Sequence, residues 1–260
     1  MTQTYFQKNI KNIREADVAI EVGISLERFP DKYKSNKRIV LNAISMNPYD
    51  LDYAADDLKQ DKEFILKAME IEGLSLSGAS ETLRADKEVV IAAVTNNGCA
   101  IQFADPSLQG NYEVAKIAIS NDPFSLVFAK SLQGDKNFIL DEVKKNGLIL
   151  NYASKELQAD TEVALAAVQN NGHALAFVSD ENLVNKKIVQ AALLNKSDAI
   201  KNARDWADIK YRQLDHQQQY RRPTVADNKE HTKIVTLLNS LAEKILEQEK
   251  AVAMYDSPFF

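Results

Sequence analysis

Apolar positions along the chain follow a pattern that restarts every 24–25 residues. Within a period they first fall at i, i+4 and i+5, as Ile39/Ala43/Ile44, Phe64/Ala68/Met69, Val89/Ala93/Val94, Val114/Ala118/Ile119 and Val163/Ala167/Val168. That spacing draws one buried stripe on an α-helix of about ten residues. Asp or Asn opens each period, at Asn36, Asp61, Asp86, Asn111, Asp135, Asp160 and Asn185, with intervals of 25, 25, 25, 24, 25 and 25 residues. Such side chains accept the orphan N–H groups of a helix start. The acidic residue that follows in Lys62-Glu63, Lys87-Glu88 and Tyr112-Glu113 suits the positive end of the helix dipole. A fainter copy precedes these periods around Gly23, Leu26 and Phe29.

The middle of each stripe is small, at Ala43, Ala68, Ala93, Ala118, Ala167 and Ala192, which predicts close approach between neighbouring helices. Glu142 stands at this position in the fifth period, where it must reach solvent or find a partner, because a buried unpaired carboxylate is costly. Gly73, Gly98, Gly147 and Gly172 are expected to end the helix by adopting the left-handed conformation. Asn47-Pro48 and Asp122-Pro123 end it through proline's fixed φ and missing donor. Each period then reads Leu-x-Tyr/Phe-Ala, as in Leu51–Ala54 and Leu126–Ala129, and closes on Leu58, Leu83, Leu108 or Leu157. This predicts a short second helix that only packing can stabilise.

A period of this size is the signature of a solenoid. The expected fold class is all-α, an α-solenoid of stacked ~25-residue helical hairpins with a C-terminal helical cap. Residues 1–35 form a degenerate first repeat or cap, and 36–203 an array of six units plus a degenerate seventh. Residues 204–260 form the cap, with a linker over 223–228 after Pro223. In the cap, 229–254 reads as one amphipathic helix with Ile234, Leu237, Leu238, Leu241, Ile245 and Leu246 on one face.

Composition adds limits. Hydrophobic residues make up 45% and charged residues 27%, ordinary values for a folded chain. A net charge of -5 argues against general nucleic-acid binding, which rests on dense Lys and Arg. Cys99 is the only cysteine, so neither an internal disulfide nor a thiolate metal cluster is available. Residues 1–8 lack the apolar run of a secretory signal peptide. No apolar stretch approaches the ~20 residues that span a bilayer, so a soluble protein without a transmembrane segment is expected.

Cys99 and His173 occupy the same register three periods apart. Helix layers ~8–10 Å thick put them on the order of 25–30 Å apart, whereas a nucleophile and its base need about 3 Å. His216 and His231 have no third ligand at metal-binding spacing, and the isolated glycines do not form a phosphate loop. No catalytic, cofactor-binding or metal-binding residue is assigned, and no cofactor is expected.

Binding is expected from positions that vary between units, since the recurrent ones form the core. The candidates are the residues after the turn, Tyr49, Leu74, Cys99, Phe124, Leu148 and His173. To these the non-repeating stretch adds Trp206, Tyr211, Tyr220, Arg221 and Arg222. Residues 201–222 carry a local charge of +3 with interleaved aromatics, a mixture found at interface hot spots and suited to weak contact with an anionic surface. The alternative is that Trp206 and Tyr211 pack on the last repeat.

The unit D-K-E-h-h-h-x-A-h-x-x-N-G-x-x-L-x-Y/F-A-s-x-x-L, carried best by Asp86–Leu108 and Asp135–Leu157, resembles the repeat of domain of unknown function 4116 across about Asn36 to Ala203. The resemblance implies structural motif residues and no catalytic ones. It also implies kinship with proteins of bacteria that live inside host cells, often secreted effectors. The C-terminus resembles the translocation signal of type IV secreted effectors, with Glu243, Glu247 and Glu249 ahead of Ala251, Val252, Ala253 and Pro258-Phe259-Phe260. The same glutamates alternatively form the solvated face of the last helix.

The expected function is therefore a non-enzymatic helical repeat scaffold that binds a host or bacterial protein. It would be held in the bacterial cytoplasm before secretion and translocated into a host cell. The alternatives are an enzyme with a shallow site near the C-terminal helices and a regulator or chaperone that stays in the bacterium.

Overall fold

A computed structural model describes residues 10–195, together with 199, 232, 235, 236, 238–245 and 247. The chain divides into two compact units, Met1–Leu132 and Gln133–Phe260. Among the described residues all regular structure is helical.

The first unit contains the long helices α1 (Ile13–Glu21), α2 (Lys37–Met46), α3 (Lys62–Ile71), α4 (Lys87–Asn96) and α5 (Tyr112–Asn121). The second contains α6 (Lys136–Val143), α7 (Thr161–Asn170) and α8 (Lys186–Asn195). Their starts are those the sequence predicts. Asn36, Asp61, Asp86, Asn111, Asp135 and Asp160 are the N-caps, each accepting the backbone N–H three residues on. Each helix from α2 to α8 buries a wider face than the predicted stripe, because the residue at i+1 is buried as well. In α4 the set is Val89, Val90, Ala93 and Val94, all at 0% exposure. Burying a Val, Ile or Phe side chain this fully contributes about 1.5–3 kcal/mol.

The second half of the period is two elements rather than one short helix. A 3-10 helix comes first: Pro48–Tyr53, Gly73–Gly78, Gly98–Phe103 and Pro123–Val127 in the first unit, Gly147–Tyr152 and Gly172–Phe177 in the second. A short α-helix carrying the closing leucine then follows, as in Asp56–Gln60, Glu81–Arg84, Pro106–Gln109 and Lys155–Ala159. The 3-10 form follows from side-chain periodicity. Three residues per turn align Gly73, Leu76 and Ala79 on one face, and all three are buried. The faint first copy is structurally complete, with α1, a 3-10 helix at Leu26–Arg28 and a short helix at Asp31–Lys34. The fourth period departs: a 3-10 helix at Lys130–Leu132 replaces the short α-helix, where the spacing shrinks to 24 residues.

The turn glycines do not act as expected. Gly23, with φ of 83°, is the one described glycine in the left-handed region. Each long helix from α2 to α5 instead ends on an extended residue. Asn97, for instance, has φ -143° and ψ 109°, and its N–H closes the helix on the Ala93 carbonyl. Glycine is needed next because the following helix lies against it. A Cβ on Gly73 would stand 2.3 Å from the Ala93 oxygen, one on Gly98 2.3 Å from the Ala118 oxygen, and one on Gly147 2.2 Å from the Ala167 oxygen. The mid-stripe alanines thus do permit close approach, and their carbonyls are where it occurs.

Within each unit, successive long helices pack side by side: α1 through α5 in order, then α6, α7 and α8. Three kinds of polar rung repeat between neighbours. Asn96, Asn121, Asn170 and Asn195, on the last residue of a long helix, each accept the N–H of a turn glycine one period earlier. Lysines at the first helical position pair with the next N-cap, Lys37 with Asp61, Lys62 with Asp86 and Lys136 with Asp160. A backbone bond also joins successive short-helix regions, as from Ser80 N to Lys59 O and from Asp105 N to Arg84 O.

Glu142 is buried and has found a partner: Lys145 Nζ lies 2.7 Å from its Oε1. Of the predicted C-terminal helix, Leu238, Ala242 and Ile245 are buried and Leu241 is half-buried. Ile234, Leu237 and Leu246, like the linker 223–228, lie outside the described residues. No helix among the described residues is long and apolar enough to cross a membrane.

Candidate partner-binding surface

The residue after each turn is positioned by the residue two before it. The extended residues Asn47, Glu72, Asn97, Asp122, Asn146 and Asn171 turn their side-chain oxygens onto the N–H groups of Tyr49, Leu74, Cys99, Phe124, Leu148 and His173 at 2.9–3.3 Å. One capping geometry therefore sets six backbones alike. The side chain before each 3-10 helix supplies the acceptor that its first N–H groups lack.

At this register the side chains meet solvent. Tyr49 is 47% exposed, Phe124 44% and Leu148 36%, while Leu74, Cys99 and His173 are half-buried. In the first unit a second row joins them four residues on, with Tyr53 exposed and Phe103 and Phe128 half-buried. Phe124 meets Phe128 edge to face with ring centroids 5.6 Å apart. Tyr49 meets Phe103 edge to face at 6.5 Å, reaching past the second repeat. That repeat carries Gly78 where its neighbours carry aromatics. A Cβ there would stand 2.7 Å from Leu51 C and Asp52 N, so the first two 3-10 helices touch backbone to backbone and leave no room for a ring.

Cys99 Sγ donates to Asp122 Oδ2 at 3.3 Å. Burial first, and then the Asp122 carboxylate, push the Cys99 thiol above its ordinary value. A thiol held protonated is a poor nucleophile. Among the described residues no group of three or more His, Cys, Asp or Glu side chains could hold a metal ion. Trp206, Tyr211, Tyr220, Arg221, Arg222, His216, His231 and Glu249 lie outside the described residues, and Glu243 and Glu247 are exposed.

The first unit also contains a cleft of about 250 Å³ lined by Glu81, Arg84, Phe103, Ala104, Asp105 and Pro106. Nothing in the sequence pattern marks it, because it joins a short helix of one period to the 3-10 helix of the next. Arg84 stands where Gln109 and Gln158 stand in later periods and where Lys59 stands in the preceding one.

A family model described as Domain of unknown function (DUF4116) matches residues 19–59, 61–109, 111–158 and 135–184. No curated protein and no solved structure matches the chain.

Proposed function

The chain belongs to the DUF4116 family, and we propose that its repeats form an α-solenoid whose 3-10 edge binds a protein partner. The observation that carries this reading is the exposure of Tyr49, Phe124 and Leu148 at one repeat register. Large apolar side chains held outward on rigid backbone are the usual anchors of protein interfaces. Their own backbone is fixed by the capping bonds, so little ordering entropy is lost on binding. In this reading the C-terminal residues cap the last repeat, and Trp206, Tyr211, Tyr220, Arg221 and Arg222 extend the contact. A type IV translocation signal at Glu243, Glu247 and Glu249 would make the protein a bacterial effector acting on a host protein; the helical, exposed positions of Glu243 and Glu247 fit equally the solvated face of a capping helix.

The test compares capture by the intact chain with capture by a Phe124→Ser/Leu148→Ser variant of unchanged melting temperature. A partner retained by the first and lost by the second supports the scaffold, and equal capture removes this row from consideration. Delivery into host cells is tested by deleting the last twenty residues. Undiminished delivery would show that the tail is not the signal.

A further inference from the structure

Arg84 departs from the structural use that two later periods make of its register, which in the two preceding periods is occupied by Lys34 and Lys59. Gln109 donates its Nε2 to the carbonyls of Gln102 and Ala104, and Gln158 donates to those of Leu150, Asn151 and Ala153. In both cases the side chain ties the short helix back onto the end of its own 3-10 helix. Arg84 makes no such tie. Its Nε is buried without a hydrogen-bond partner, and the side chain instead lines the cleft with Glu81, Phe103 and Asp105. A buried donor left unmatched is costly, and the guanidinium carries further N–H donors besides the buried Nε.

The walls state what can enter. Phe103 and Pro106 give an apolar face, and Tyr49 extends it through its edge contact with the Phe103 ring. Glu81 is exposed at the rim. Asp105 holds the Ser107 N–H and hydroxyl on Oδ1, which leaves Oδ2 for another donor. Asp52 and Asp57, both exposed, continue the acidic border one period back, where Asp56 is taken up by its ion pair with Lys59. An apolar floor, the N–H donors of one guanidinium and an acidic rim of two carboxylates beside it complement a chain with apolar side chains, main-chain carbonyls and cationic side chains.

We infer that this cleft is the docking site for a basic, apolar peptide segment of the partner protein. An apolar side chain of the segment lies on Phe103 and Pro106, a Lys or Arg side chain meets Glu81 and Asp105, and a main-chain carbonyl accepts from Arg84. The inference rests on the scaffold reading above and names the chemistry of the partner at one place.

The test measures fluorescence anisotropy of the full chain with a short fluorescein-labelled peptide of alternating arginine and leucine. A peptide of alternating glutamate and leucine serves as the control. The arginine peptide should bind and the glutamate peptide should not. Glu81→Gln/Asp105→Asn, which keeps the Ser107 cap, should weaken binding at least tenfold. Arg84→Gln, which places there the residue found at Gln109 and Gln158, should also weaken it. Equal affinity for the two peptides, preference for glutamate, or indifference to the double substitution would overturn the proposal. If the arginine peptide fails while Phe124→Ser/Leu148→Ser still abolishes partner capture, the cleft falls and the scaffold stands.

Discussion

Asn96 receives the Gly73 N–H on its Oδ1 at 2.8 Å and returns its Nδ2 to the Glu70 carbonyl at 3.0 Å. One side-chain amide thus ties the end of α4 to both the end of α3 and the turn that follows it. The same two-way bond recurs at Asn121, Asn170 and Asn195. Where a period carries proline in place of the turn glycine, at Pro48 and Pro123, there is no N–H to bind. The next period then carries Ile71 and Lys145 at the asparagine register.

Removing this amide should loosen the junction locally before it unfolds the chain. Asn96→Ala strands the N–H of buried Gly73, at a cost of about 1–3 kcal/mol for a buried unsatisfied group, while the exposed Glu70 carbonyl turns to water. Hydrogen exchange should show the Gly73 amide losing protection, with the Gly147 amide in the other unit unaffected. Equal protection in both proteins would mean that the bond adds nothing to the junction.

The glycine on the other side of the contact is constrained by space, not by conformation. Gly98→Ala would drive a Cβ to 2.3 Å from the Ala118 backbone oxygen, an overlap that backbone must shift to relieve, at about 1–3 kcal/mol. Gly134→Ala is the contrast, since its nearest neighbour is Ser154 Oγ at 4.0 Å. It should be neutral or stabilise by about 0.4–1 kcal/mol through the unfolded chain. Thermal denaturation separates the two, and equal melting temperatures would remove the close approach to Ala118 as the reason for glycine at position 98.

Gly73 and Asn96 also mark what the sequence makes legible. The caps at Asp61 and Asp86, the long helices and the core alanines could be read directly, because capping and apolar spacing act within one helix. The role of Gly73 could not, because Gly is compatible both with a left-handed turn and with close approach, and only the position of Ala93 decides. Asn96 was readable in principle from its pairing with a turn glycine one period earlier. The 3-10 geometry of Gly73–Gly78 was hidden because six residues are too few to separate a period of three from one of 3.6. The exposure of Tyr49, Phe124 and Leu148 could not be read either, since apolar residues at a turn fit a core as well as a surface.

The lysine rungs predict a pH dependence. The hydrogen bond from Lys62 holds the Asp86 carboxyl below its ordinary value of 3.8, and hydrogen bonds to Asp86 and then Glu88 hold Lys62 above 10.5. A depressed carboxylate adds stability that is full above its unfolded pKa and lost as pH falls through the folded one. The raised lysine adds stability that is full below its unfolded pKa and lost as pH rises through its folded one. Asp86→Asn keeps the cap, as Asn36 and Asn111 show, and removes only the charge. It should lower stability modestly at neutral pH, since both side chains are partly exposed and screened. The two proteins should converge below the folded pKa of Asp86. Parallel curves down to the lowest pH would exclude the rung as a source of acid sensitivity.

Glu142 and Lys145 give the sharpest test of how the repeat tolerates an exception. Glu142 is 2% exposed at a register that is alanine in the neighbouring periods, and Lys145 bonds it from a largely exposed position. Removing the cation leaves a buried carboxylate without its hydrogen bond, at about 1–3 kcal/mol, less than for a pair buried on both sides because Lys145 is 58% exposed. Lys145→Ala should therefore destabilise although the lysine itself buries little. Glu142→Ala restores the recurrent residue, removes the desolvated carboxylate and should be neutral or stabilising. The double variant should resemble Glu142→Ala alone, because once the carboxylate is gone Lys145 has nothing left to neutralise. Melting temperatures of the three variants decide it. If Glu142→Ala is as damaging as Lys145→Ala, the glutamate contributes through packing that an alanine cannot supply, and the fifth period is built differently from its neighbours.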